Sequence, residues 1–333
     1  MKNVLRKNFK VVILILIILL TFNLYLSKNY SLIAPGITVD LKQIVYVEGG
    51  DKEEKGSFYL TTVSTRDLNI PLFLYALVSP AVDIEKKEDI IPPGWDMKKY
   101  IEYMRQWMEE SQKIAEVVAL KRAGFDTQIL GNGAKVVEVL EESPAKGKIF
   151  PGDVVKKVDG EKVNIAEEMI SKVSKRKVGD LVTLEIDRQG EKKIITIPTI
   201  ESKTEKGKAM VGLLITTMDW KPVLPKKIII NTGEISGPSA GLMFTLEILN
   251  QLIPGDLTKG KKIAGTGTIS LDGSVGEIGG VKQKVLAAYR DKAEIFFVPL
   301  KNADDAKKAA KNLNIKIVPV RNLDDVLNYL KSL

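Results

Sequence analysis

The sequence predicts an α+β protein of several units, and three observations carry that reading. An apolar run from Val11 to Leu26 follows a basic tip. Short β-like runs broken by Pro-Gly and Asp-Gly turns crowd residues 136–199. Beyond residue 201, strand-like and helix-like stretches alternate. The 333 residues suffice for two or three compact units, and 44% apolar with 28% charged residues is the composition of a folded chain rather than a disordered one.

The first element is a helix from the apolar run, spanning about 24 Å. That is short for a bilayer, but Lys10 and Lys28 can snorkel and Tyr25 and Tyr30 can sit at the interface. Two fates fit such a segment, an uncleaved anchor and a cleaved signal peptide. The following "SKNYSLIAPG" lacks a small-residue cleavage site and places Pro35 after Ala34, which favours the anchor. Lys2, Arg6, Lys7 and Lys10 orient the tip to the cytoplasm, so the rest of the chain is expected outside it, at the cell membrane. Residues 1–34 are thus read as tip and transmembrane anchor.

Residues 35–123 read as a separate strand and helix region. "QIVYVEG" and "SFYLTTVST", joined by "GDKEEKG", suggest a hairpin. After the Pro-rich "IIPPGW", residues 97–122 have the pattern of a long amphipathic helix ended by Gly124. The next stretch holds "SPA", "PGDVV" and "VDG" in turn positions, a helical "NIAEEMISKVSK", and strands at "DLVTLEIDR" and "EKKIITIPT". This order resembles a PDZ domain, taken as 124–200. The resemblance implies capture of an extended peptide by strand addition. The usual Gly-Leu-Gly-Phe carboxylate loop is missing, and "AGFDTQILGNG" stands where a ligand-facing segment is expected. The polar break "ESKTEKGKA" then opens a last unit, 201–333.

The composition excludes several chemistries. The chain has no Cys and no His, so thiol nucleophiles, disulfides, Ser-His-Asp triads and the usual His-containing zinc sites are ruled out. The net charge of +8 is concentrated in part at the amino-terminal tip, with no basic stripe interleaved with aromatics, so nucleic acid is not an expected partner. No phosphate-loop pattern occurs, so ATP is not expected, and no cofactor is implied.

In "IIINTGEISGPSAGLMFTLEI" a β-branched strand leads through a polar loop into a helix starting near Pro238. Ser239 falls in its first turn, where outward backbone N–H groups and the positive helix end favour a developing oxyanion. A serine there still needs a base, and without His the remaining candidates are Lys, Asp, Glu or a metal-bound water. "AGTGTISLDGSVGEIGGVKQKVLAAYR" supplies two lysines at the start of a further helix, near Gly280. Lys282 lies among Val281, Val285 and Ala288, where burial and the helix end both disfavour an ammonium.

Together the two segments resemble the proteolytic domain of the Lon family, which carries a Ser-Lys dyad. The resemblance implies Ser239 as nucleophile, Lys282 as general base, and Thr266 of "GTG" as a hydrogen-bonding helper. Lys284 lies two residues past the position so matched. The chain departs from the family pattern before Gly237, where Ser236 takes an acidic position and Glu234 lies two residues earlier. Anchor, PDZ module and Lon-type α/β unit together resemble the bacterial membrane-anchored, PDZ-containing Lon-like proteases. That implies an ATP-independent serine endopeptidase acting on exported proteins or peptides, with oligomerisation open. The rival is a membrane-tethered, catalytically inactive peptide-binding adaptor. The closing "AEIFFVPLKNADDAKKAAKNLNIKIVPVRNLDDVLNYL" reads as strand, helix, strand, helix, with Asn302, Asp304 and Asp305 as helix-start residues outside the site.

Overall fold

The computed structural model describes residues 2–51, 55–92, 94–202, 206–217 and 220–333. Parts of the turn between the two expected hairpin strands, of the Pro-rich stretch and of the 201–209 break lie outside these residues. The chain divides into two compact units, one formed by 1–116, 228–269 and 273–333, the other by 117–227 with 270–272.

The first unit opens with helix α1 (Lys2–Asn29), whose apolar stretch from Phe9 to Asn29 is long enough to cross a membrane and is almost wholly exposed. Strands β1 (Tyr30–Asp40), β2 (Val45–Val47) and β3 (Ser57–Asp67) follow, then helix α2 (Ile70–Val78), strand β4 (Asp83–Lys86) and the long helix α3 (Met97–Arg122), whose residues from 117 on are counted with the second unit. The expected hairpin does not form. β3 pairs antiparallel with β1, and β2 pairs with Ile228–Ile230 far along the chain. Alternation tells which residues form a strand, and it is silent about which strand accepts its hydrogen bonds.

The second unit is built on strands β5 (Ala134–Val139) and β6 (Val154–Val158), helix α4 (Ala166–Ser174), and strands β7 (Leu181–Arg188), β8 (Glu191–Pro198) and β9 (Leu213–Thr217). Its main strand order is β8-β7-β6-β5-β9. Val136, Val155, Leu184, Ile186 and Met169 fill its core. β9 lies beyond the 124–200 boundary read from sequence, so the break near residue 201 separates two strands of one sheet. The "AGFDTQILGNG" stretch is not a ligand edge here: Gln128–Leu130 pairs with Lys221–Val223.

The chain re-enters the first unit with β10 (Ile228–Ile230), the partner of β2. A 3-10 turn at Pro238–Ala240 leads into helix α5 (Gly241–Leu252), then strand β11 (Lys262–Gly265), helix α6 (Val281–Arg290), and the predicted strand-helix-strand-helix ending, β12 (Ile295–Pro299), α7 (Ala303–Ala309), β13 (Lys316–Val320) and α8 (Leu323–Lys331). These strands join the amino-terminal ones in one mixed sheet, ordered β13-β12-β11-β3-β1-β4. β3, β11, β12 and β13 run parallel, while β1 and β4 are antiparallel to their neighbours. Residues 35–123 therefore do not form a separate region. β3 is a central strand with Phe58 and Leu60 fully buried, and it borders the strand that ends beside Thr266. Parallel neighbours need long crossovers, which places strands distant in sequence side by side.

Candidate active site

Ser239 sits in the 3-10 turn ahead of α5, held from two sides. Gly237, at φ +95°, turns the chain into Pro238, a conformation L-residues with a Cβ rarely adopt. Its N–H donates to the Met104 carbonyl of α3 (2.9 Å), and the buried Ser111 hydroxyl of α3 donates to the Pro238 carbonyl (3.0 Å). On the other side the Ser239 carbonyl accepts from the Gly267 N–H (2.8 Å) and the Thr266 hydroxyl (3.0 Å). α5 is buried almost from end to end, so this turn is fixed to the core while the Ser239 side chain stays half-exposed.

The lysine that meets this serine is Lys284. Its Nζ lies 2.7 Å from Ser239 Oγ and 3.0 Å from Thr266 Oγ1. Lys282, matched to the base by sequence, points elsewhere: its Nζ is 2.6 Å from Asp83 Oδ1 of β4, in a partly exposed ion pair. The reason is helical geometry. Residues two apart lie on nearly opposite faces, whereas i, i+3, i+4 and i+7 share one. Val281, Lys284, Val285 and Ala288 form that face and are all buried, while Lys282 leaves it. Lys284 was thus marked by its place within the apolar stripe.

Burial sets its chemistry. Lys284 is 4% exposed, and desolvation lowers its pKa from the ordinary lysine value to about 7. The hydroxyl proton of Thr266 is committed to the Ser239 carbonyl, so Thr266 Oγ1 must accept from Lys284. A neutral amine donating there keeps its lone pair for the Ser239 hydroxyl.

Supporting residues come from elements distant in sequence. Gly280 caps α6 at φ +67°, and a Cβ on it would come within 2.6 Å of Val63 Cγ1. Asp83 binds both Lys282 and the buried Gln283 at the head of α6. Asn302 occupies the cap position of α7 but makes no cap bond. Its amide instead accepts from the Ile278 N–H and donates to the Ile278 carbonyl, both at 3.0 Å, clamping the segment before α6. Glu234 pairs with Arg105 of α3 at 2.7 Å and is strongly exposed.

In the second unit, among the described residues, β9 pairs only with β5 and stands at the end of the strand order. Beside it, Met169, Ile170 and Val173 of α4 face Val211, Gly212 and Leu213 across a cavity of about 210 Å³. Thr217 of β9 caps α4, accepting from the Ala166 N–H at 2.7 Å.

Residues 226–332 match the Lon protease (S16) C-terminal proteolytic domain, and residues 118–199 match the PDZ domain. The Lon protease of Buchnera aphidicola subsp. Schizaphis graminum is 37% identical over 93 residues, covering 27% of this chain and 12% of that protein. The Lon protease of Mycoplasma pneumoniae is 31% identical over 165 residues, covering 46% of this chain and 20% of that protein. The chain thus spans a fifth or less of these curated relatives. Among solved structures, the PDZ domain of the SdrC-like protein from Listeria innocua is 27% identical, with 25% of this chain and 93% of that chain covered and a TM-score of 0.24.

Proposed function

From a chain that carries a Lon protease proteolytic domain and a PDZ domain, we propose an ATP-independent, membrane-anchored serine endopeptidase that cleaves exported proteins or peptides. The observation that carries the reading is the buried Lys284 amine within 2.7 Å of Ser239 Oγ. The neutral amine takes the Ser239 proton as Oγ attacks the peptide carbonyl carbon. The ammonium returns that proton to the leaving amine, and the acyl ester is then hydrolysed by water with Lys284 again as base. The backbone N–H groups at Ser239 and Ala240 precede the first bond of the turn, which runs from the Gly241 N–H to the Pro238 carbonyl, so they are the candidates for the oxyanion.

The PDZ domain supplies substrate capture in this reading. A peptide adds to the free edge of β9, with side chains in the cavity against α4. The anchor reading rests on the exposed apolar α1 and the basic residues before it.

Two results test the proposal. Ser239→Ala, in the full chain in detergent or bilayer, will lose cleavage of an unfolded protein and labelling by a serine-acylating probe, while its circular dichroism stays native. Turnover close to wild type in that variant would overturn it. Thr266→Val keeps the volume but removes the acceptor that orients Lys284. Lys284 becomes an ammonium as it takes the Ser239 proton, and a hydrogen bond to a charged group is worth about 1.5–3 kcal/mol, so kcat falls by about 10- to 100-fold with little change in KM. Thr266→Ser restores most of it, an outcome that a packing role for the methyl group would not give.

A further inference from the structure

α2 is a helix without a single polar side chain other than the hydroxyl of Tyr75, in a position where none of its residues is buried. One face, with Leu72, Phe73 and Ala76, packs on Leu26 of α1 and on Leu32, Leu68 and Val82. The opposite face leaves Leu74 57%, Leu77 66% and Val78 80% exposed. A contiguous apolar face of this kind on a water-soluble surface marks an interaction site.

What covers it is told by what it is attached to. α2 lies against the carboxyl-terminal part of the apolar α1: Phe73 meets Phe22 edge-on with ring centroids 6.2 Å apart, and the Ile70 N–H donates to Asn23 Oδ1 at 3.0 Å. The Leu72 N–H donates to Asn69 Oδ1 at 2.9 Å. Two of the N–H groups that a helix start leaves unpaired are therefore held by protein side chains, one of them from α1 itself, which fixes α2 against α1. The same bond gives Asn23, a polar residue near the end of the apolar run, a partner. At the end of α1 the apolar surface gives way to a rim of tyrosines and lysines, of which Lys86 pairs with Glu88 at 3.1 Å and Lys87 with Asp67 at 2.6 Å. Tyr25, Lys28, Tyr30, Lys86 and Lys87 line a cavity of about 290 Å³ together with Glu88. Tyrosines and lysines at the end of an apolar span fit the headgroup level of a bilayer.

We propose that α2 is a second membrane-contacting element, its Leu74, Leu77 and Val78 face seated in the acyl-chain boundary of the bilayer beside α1, with Lys28, Lys86 and Lys87 at the phosphate level. The inference rests on the membrane-anchor reading of α1 and adds that the first unit is docked on the lipid surface rather than tethered above it. β4 follows α2 directly, and its Asp83 bonds the head of α6, so the membrane seat and the base helix share one short stretch of chain.

The absence of cysteine permits a direct test. Single variants Leu14→Cys, Leu77→Cys, Val78→Cys and Leu300→Cys of the full chain carry an environment-sensitive fluorophore, reconstituted in phosphatidylcholine/phosphatidylglycerol vesicles with or without acyl-brominated lipid. Leu14 reports the span and Leu300 an exposed position of the same unit. The proposal expects loss of fluorescence to brominated lipid at Leu14, Leu77 and Val78 and none at Leu300. Loss at Leu14 with Leu77 and Val78 behaving like Leu300 overturns the seat and leaves the anchor standing. No loss at Leu14 removes the anchor and the seat with it. Labels at Leu77 and Val78 that are shielded but unquenched, with shielding that rises with protein density in the vesicle, assign the face to a second copy and overturn the proposal.

Discussion

Exchanging Lys284 for Met will abolish peptide cleavage, and the same exchange at Lys282 will leave most of it. Met fills nearly the volume of Lys in the buried stripe beside Val281, Val285 and Ala288 but cannot take a proton. A positioned general base contributes about 10²- to 10⁴-fold, and that factor is lost from kcat at Lys284. Lys284→Arg will be inactive as well, since a guanidinium stays protonated. Lys282 pairs with Asp83 in a partly exposed ion pair, and such pairs are worth about 0–1 kcal/mol, so Lys282→Met changes the rate by about fivefold at most. kcat/KM on an internally quenched peptide decides between them, and an inactive Lys282→Met beside an active Lys284→Met would reverse the assignment. In the native protein the rate will climb with pH through about 7 and then level, because the amine must be free to accept the Ser239 proton and its pKa lies there. That limb should be absent from the residual rate of Lys284→Met.

Much of this arrangement was legible in the sequence, because the legible parts are local. The apolar period and the Gly124 stop give α3 at Met97–Arg122, and the alternating strands near the end appear where their patterns place them. The strand-loop-helix around "GPSAG" puts Ser239 at the mouth of a buried helix. The failures are of two kinds. Pairing across the chain is invisible to periodicity, so β1, β3 and β4 read as a separate region although they complete the sheet whose strand β11 ends beside Thr266. The Ser111 and Asp83 contacts are equally invisible to it, since they join the Ser239 turn and α6 to elements more than a hundred residues earlier. The second kind is one of angle on a helix: both the Gly-Gly-x-Lys match and the neighbours Val281, Val285 and Ala288 point to Lys282 in the sequence, but the 3.6-residue period puts Lys284 on the buried face with them and turns Lys282 off it. Asn302 is a similar case: its position suggested a helix cap, and its side chain is spent on the Ile278 backbone instead.

The second large effect is on stability, and it runs opposite to activity: Lys284→Met will be more resistant to unfolding than the native protein at neutral pH. Lys284 titrates at about 7 in the folded chain because burial disfavours the ammonium, against 10.5 for an ordinary lysine. Between those values the unfolded chain holds one proton more than the folded one, so the native protein gains stability as pH rises from about 7 toward 10.5. Below about 7 both states are protonated and the full cost of burying the charge remains. At neutral pH that cost is on the order of 4 kcal/mol. Met removes it, together with two hydrogen bonds worth about 0.5–1.5 kcal/mol each. The half-exposed Ser239 hydroxyl can turn to water, and the Thr266 hydroxyl still donates to the Ser239 carbonyl, so neither is left as a stranded donor. Urea unfolding at pH 7 should therefore show a higher midpoint for Lys284→Met, with the difference closing as pH approaches 10. Two curves that run parallel across that range would mean that the amine is not desolvated in the folded state, and a lysine solvated at this position would be protonated at neutral pH and unable to serve as the base.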